Sequence, residues 1–291
     1  MIKNLKKINM KTNSILKLTV LFAVILFVSC SKDNNDLANE FTVEDIQTNA
    51  KLDQAANDLS EIIDDQYLIE NPAGKSIAPT EINSLPACAV VTRTVTATTW
   101  RRKINFGTTG CALPNGAILR GIIYISGSLP YSTTNYVITY TFDGFRYNDF
   151  LVQGNRTITR SLGSSIYQSN THPISVLDMN MTFTNSRGVY TRVGTRTREC
   201  VEGFGTAILV DNVYVVTGNW TTTFPNGNVH TNTISNTAPI RVRLNCDHRV
   251  VSGIVNITRP NHTAVLDYGD RTCDNIATIS IDGGAPISFT F

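Results

Sequence analysis

From residue 86 to residue 291, apolar and polar positions alternate with a period of two, and β-branched residues and tyrosines are dense among them. That period puts successive side chains on opposite faces of a strand. It predicts strands over 90–98, 101–106, 119–126, 136–142, 150–158, 174–183, 189–200, 206–210, 213–223, 229–237, 240–246, 250–258, 264–268, 277–281 and 287–291. Connections this short suit antiparallel hairpins, because parallel pairing needs a crossover of a dozen or more residues. Asn226-Gly227 and Asp282-Gly283 are good hairpin turns, and Asp143-Gly144 and Arg187-Gly188 are further turn candidates. The expected fold class is all-β: a long antiparallel, sandwich-like meander over 86–291.

Residues 41–70 carry a different period. Leu52, Ala56, Leu59 and Ile63 step by four, three and four, which makes one apolar stripe on a helix. Thr42 followed by Asp45 has the form of a capping box, and Glu44 and Asp45 suit the positive helix N-terminus. The stripe is too short for a coiled coil, so the helix is expected to dock on the β domain or to act as a stalk. Asn71-Pro72-Ala73-Gly74 ends it, and 71–85 reads as a linker.

A third pattern lies at the start of the chain. Five lysines precede residues 18–28, an apolar run interrupted only by Thr19, and Ser29-Cys30 follow. A basic start, a short apolar run and a small residue before the cut describe an export signal over 1–29. Eleven helical residues span roughly 17 Å, little over half of a hydrocarbon core of about 30 Å. Phe27-Val28-Ser29-Cys30 resembles the lipobox of bacterial lipoproteins, with Phe27 where Leu is more usual. The resemblance implies that Cys30 becomes the first mature residue and carries covalent lipid, which anchors the chain to a membrane. Ser31 to Asp36 resembles the acidic export tag of Bacteroidota lipoproteins. That likeness implies a lipidated tether over 30–40 and placement on the cell-surface face of the outer membrane.

Charge divides the chain in two. From Ser31 to Leu85 there are three lysines and twelve acids, a net of −9; from Pro86 to Phe291 there are 17 basic and 11 acidic residues, a net of +6. All but Lys103 of those basic residues are arginine. Such asymmetry points to a polyanion partner. Export excludes nucleic acid as the expected one.

With Cys30 acylated, five cysteines remain, and an exported chain favours disulfides. The stretches Cys88 to Cys111 and Cys246 to Cys273 echo one another. Each runs cysteine, strand, turn, strand, then Ile104-Asn105-Phe106-Gly107 or Leu266-Asp267-Tyr268-Gly269, then cysteine. Two hairpins, each closed by its own disulfide, explain the spacing and leave Cys200 over as a buried thiol.

Candidate chemistry is sparse. Asp267, Asp270, Asp274 and Asn275 crowd one turn, and hard cations want several oxygens together, so this is a candidate calcium site. Arg192, Arg196 and Arg198 recur at even offsets and share one strand face, and Arg241 and Arg243 do likewise on another strand. Arginine forks match carboxylate, sulfate or phosphate groups. These five are therefore candidate ligands for an acidic glycan or lipopolysaccharide. The four histidines lie in separate segments without metal-binding spacing, no GxSxG is present, and no catalytic residue is assigned. The combination of lipobox, acidic tether, helix and Thr-rich β body is similar to a group of Bacteroidota outer-membrane lipoproteins, a likeness that implies an address and no activity. The expected function is non-enzymatic binding of a glycan or other polyanion at the envelope. The alternatives are a structural or assembly component that binds protein, and a hydrolase.

Overall fold

The computed structural model describes residues 41–70, 85–132, 134–206, 208 and 210–291, and Phe41–Phe291 form one compact unit. The expected signal, Cys30, the tether and residues 71–84 of the linker lie outside the described residues. Among the described residues, seventeen strands form one antiparallel sheet around one long helix, α1 (Val43–Glu70), as the all-β reading expects.

The sheet begins with β1 (Val90–Val95) on β2 (Thr99–Asn105), and continues through β4 (Ile118–Ser128) to β5 (Tyr136–Tyr147). The short β3 (Cys111–Ala112) adds to β4. From β5 it passes through β7 (Arg156–Gly163) and β8 (His172–Asp178) to β10 (Gly188–Glu202) and β11 (Val213–Thr223). A parallel route through β6 (Phe150–Gln153) and β9 (Met181–Asn185) also joins β5 to β10. Both β12 (Val229–Ile234) and β13 (Ile240–Arg243) lie between β11 and β14 (Val250–Arg259). The meander then closes with β15 (His262–Asp270), β16 (Ile276–Ile281) and β17 (Ile287–Thr290). Among the described residues no pairing joins β17 back to β1.

Several strand limits differ from the alternation pattern. Strand β5 runs through Asp143-Gly144 instead of turning there; Gly144 has φ +55° and the β4–β5 register shifts between Arg120 and Ile122, a bulge. The stretch 174–183 divides into β8 and β9, and 150–158 divides at Gly154 (φ +129°), where a Cβ would meet the Asn180 carbonyl at 2.7 Å. Of the stretch 206–210, the described residues 206, 208 and 210 lie in no strand. The turns at Asn226-Gly227 and Asp282-Gly283 form as expected, with Gly227, Asp282 and Gly283 all at positive φ.

Helix α1 starts where the capping pattern puts it. The Thr42 Oγ1 accepts from the Asp45 amide at 3.0 Å. The helix contains neither Gly nor Pro, but its surroundings are not those of a docked amphipathic helix. Only Glu44 and Lys51 of its 28 residues are exposed. Leu52, Leu59, Ile62 and Ile63 pack into one apolar cluster with Ile104, Ile123 and Ile138; Ile46 and Ala50 pack into a second with Val255, Leu266 and Ile279. The sheet thus encloses the helix from both flanks, and the stripe expected from spacing is only part of a surface buried nearly all round.

Cys88–Cys111 and Cys246–Cys273 are the two disulfides, around the β1–β2 and β14–β15 hairpins. Cys200 keeps a buried thiol whose Sγ lies 3.3 Å from the Glu202 carbonyl oxygen.

Candidate functional site

Eight carboxylates and one lysine punctuate residues 43–70. Burying a carboxylate without a partner costs several kcal/mol, so a helix of this composition stays inside only if its surroundings supply cations or donors. The sheet supplies arginines, on the strand face turned toward the helix. Asp53 Oδ1 accepts from Arg192 Nη1 and from Arg196 Nη2, both at 2.5 Å. Asp64 accepts from Arg160 at 2.5 Å and from Arg198 at 2.7 Å. Glu70 takes Arg102 at 2.5 Å and Arg93 at 2.9 Å. Arg249 pairs with Glu61 and Arg187 with Glu44, while Arg259 stands 4.0 Å from Asp45.

Aromatic rings back the cations. The guanidinium of Arg196 lies 3.9 Å from the Trp220 ring centroid, and that of Arg198 lies 3.5 Å from Tyr214. Such stacking adds attraction to a desolvated cation. Gly194, between Arg192 and Arg196 on β10, and Gly218, opposite Arg196 on β11, carry no side chain. A Cβ on either would meet a neighbouring-strand carbonyl oxygen at 2.3 Å.

The expectation of an arginine-bearing face open to an external ligand is thereby corrected. Arg192, Arg196 and Arg198 do share one face, but it is the inner one, and each is under 5 % exposed. Arg241 and Arg243 point the other way, at intermediate exposure, and Arg241 pairs with Glu202. The five do not converge. Sequence reasoning missed the contributions of Arg102, Arg249 and Arg259. The available signal was the match between a strongly acidic helical segment and an arginine-rich domain in the same chain.

The candidate calcium loop is also built differently. Oδ1 atoms of Asp267, Asp270 and Asp274 accept from the amides of Gly269, Thr272 and Ile276, so each carboxylate closes its own turn. The Asn275 carbonyl accepts from the Phe291 amide at 3.1 Å. Among the described residues no group of three metal-ligating side chains converges.

Two histidines are buried in distinct settings. His172 sits between the Asn170 carbonyl at 2.8 Å and Glu199 at 3.0 Å, on the outer side of the sheet. His230 lies between the rings of Phe41 and Phe224, and its Nδ1 is 3.1 Å from the Asn49 amide. Burial, followed by the Arg259 charge, pushes His230 down to about 3, so its ring is neutral.

An opening exposes Lys51 of the helix. A cavity of about 270 Å³ is lined by Lys51 and Gln54 of α1, the β3–β4 turn at Asn115, the β5–β6 corner at Tyr147 to Phe150, and Phe291. Its base is rigid. The Asp58 carboxylate, buried beneath it, accepts from Tyr147 Oη at 2.5 Å and from Asn115 Nδ2 at 2.8 Å. Burial holds that carboxyl above the usual range, while those two donors oppose the shift. Asn115 also fastens its own turn by accepting from the Ala117 amide, and Asn148 ties the β5–β6 corner to β4 by accepting from the Ile118 amide. Lys51 and Gln54 have no polar partner among the described residues, so an ammonium and an amide face the opening. No known protein family, no curated protein and no solved structure matches this chain.

Proposed function

We propose that this protein is a lipid-anchored component of a bacterial envelope, placed on the surface face of the outer membrane. Its β body is a non-enzymatic binding module for a glycan or other polyanion. The address rests on the lipobox-like Phe27-Val28-Ser29-Cys30 and the acidic tether behind it. The observation that carries the binding reading is the opening beside Lys51. There the one cation of an acidic helix meets solvent, in a cleft with polar and aromatic walls. Sites of this kind, concave and with a few convergent polar groups, are where small ligands bind.

Two measurements test this. The native protein extracted from membranes is expected to begin at Cys30 and to weigh more than the bare polypeptide by its acyl chains. The purified protein is expected to be retained on an immobilised acidic polysaccharide or lipopolysaccharide and released by salt. A chain that keeps its first 29 residues removes the address, and passage through every such column removes the binding reading.

A second reading, an assembly component that binds protein, draws on β1. All six of its residues are exposed and β2 is its one strand partner among the described residues, so it offers a sheet edge for pairing. Crosslinking in intact cells, followed by identification of what joins residues 90–95, separates the two.

A further inference from the structure

We infer that the opening beside Lys51 is a subsite for a single uronic-acid residue of an acidic glycan, with Lys51 as the group that selects the carboxylate. The inference rests on the glycan-binding reading and names the ligand class of that same cleft.

The size comes first. A cavity of about 270 Å³ falls just below the range of roughly 300–1,000 Å³ typical of sites for drug-sized ligands, so it suits one sugar ring with its substituents. The charge decides the class. Lys51 is the only cation of α1, it is exposed, and no described carboxylate pairs with it. Asp58 lies buried below, and Asp149 stands on the rim with one oxygen 3.3 Å from the Asn185 amide. A single ammonium among carboxylates suits a singly charged guest. A doubly charged phosphate monoester would meet the same acids with no second cation among the lining residues, since Arg120 and Arg146 are engaged by the Asn148 and Asp149 carbonyls. The ammonium is a compact point donor and needs no forked partner, which matches a sugar carboxylate.

The remaining walls fit a polyhydroxylated ring. Gln54 offers a donor and an acceptor with no partner among the described residues, suited to vicinal hydroxyls. Phe291 presents a partly exposed ring, held at 5.1 Å from Tyr268 by an edge contact, and Phe150 also lines the opening. Aromatic rings against the C–H faces of a sugar and polar groups against its hydroxyls divide the guest by chemistry. Because Tyr147 and Asn115 are tied to Asp58, this frame is set before a ligand arrives, which lowers the cost of binding.

The test uses the purified full-length protein and a trimer of galacturonic acid, followed by calorimetry or by chemical-shift changes. The trimer is expected to bind. Its methyl ester, which keeps the ring and removes the charge, and the Lys51→Ala variant are each expected to bind roughly tenfold more weakly or worse, the scale of one charge-assisted hydrogen bond. Phe291→Ala is expected to weaken both trimer and ester. Lys51 is exposed, so its variant is expected to unfold at the wild-type temperature, which separates lost binding from lost structure. Equal binding of trimer and ester, or no effect of Lys51→Ala, overturns the subsite while the glycan reading stands. Displacement of the trimer by inorganic phosphate at equal concentration overturns the ligand class. No binding of the trimer by a protein still retained on another glycan overturns the uronate assignment alone, and no retention on any glycan removes both.

Discussion

Arg192 and Arg196 reach the same oxygen of Asp53, at 2.5 Å each, although they leave the sheet two inward positions apart. One carboxylate thus serves two buried cations, and the Arg196 guanidinium also rests on Trp220. This three-residue junction ties α1 to β10, and Asp64 likewise holds two arginines, Arg160 of β7 on one oxygen and Arg198 of β10 on the other.

Removing the shared carboxylate leaves two buried guanidinium groups without their main partner. Asp53→Asn is therefore expected to destabilise the fold by about 3–5 kcal/mol. Glu44→Ala, which breaks the solvent-exposed pair with Arg187, is expected to cost no more than about 1 kcal/mol. Urea unfolding of the two variants beside the wild type checks the contrast, and equal costs would contradict the assignment of Asp53 as a junction.

His230 makes stability depend on pH. Its folded value of about 3 lies below an unfolded value of about 6.5, so the unfolded chain binds the extra proton first as pH falls. The contribution of the neutral ring is complete above about pH 6.5 and is lost progressively down to about pH 3, by at most about 1.4 kcal/mol per pH unit. In His230→Gln the slope of stability against pH in that window is expected to be shallower, read from denaturation midpoints at several pH values.

Each disulfide closes a hairpin, with 23 residues of separation in one and 27 in the other. Replacing Cys246 and Cys273 together by serine is expected to cost about 3 kcal/mol through the freedom returned to the unfolded chain. The same change at Cys88 and Cys111 should be of similar size. Cys200→Ser touches neither bridge, so non-reducing peptide maps of that variant should show both bridges intact.

The two faces of β11 should respond oppositely to substitution. Trp220 is 2 % exposed and carries a stacked guanidinium, so Trp220→Ala is expected to cost about 3–5 kcal/mol. Its neighbour Thr221 points outward, and Thr221→Lys is expected to stay within about 0.5 kcal/mol. Thermal or urea unfolding of the pair gives the comparison directly.

Much of the architecture was legible before any coordinates. The period of two over 86–291 marked the antiparallel sheet, Thr42 and Asp45 marked the start of α1, and the echo between the two cysteine stretches marked both disulfides. Strand limits were less legible where one stretch continued past a glycine. Gly144 reads as a turn residue, yet it sits inside β5, because a bulge and a turn ask for the same positive φ. The opening at Lys51 was not legible at all. It is assembled from a helix, two hairpin corners and the last residue, which lie up to 240 positions apart in the chain.

By itself the sequence determined which residues share a strand face, because alternation in a pleated strand is a local property of the backbone. It also set the opposed charges, acidic in the helical segment and basic in the β domain. Only the tertiary structure decided which face of each strand is inside. On β10 the face bearing Val189 and Val193 is exposed, while the face bearing Arg192, Arg196 and Arg198 is buried, the reverse of the usual apolar-inward order. The reason is the partner. An acidic helix occupies the space the sheet encloses, so the inward face must bring cations to it, and that requirement comes from residues some 130–145 positions away in the chain.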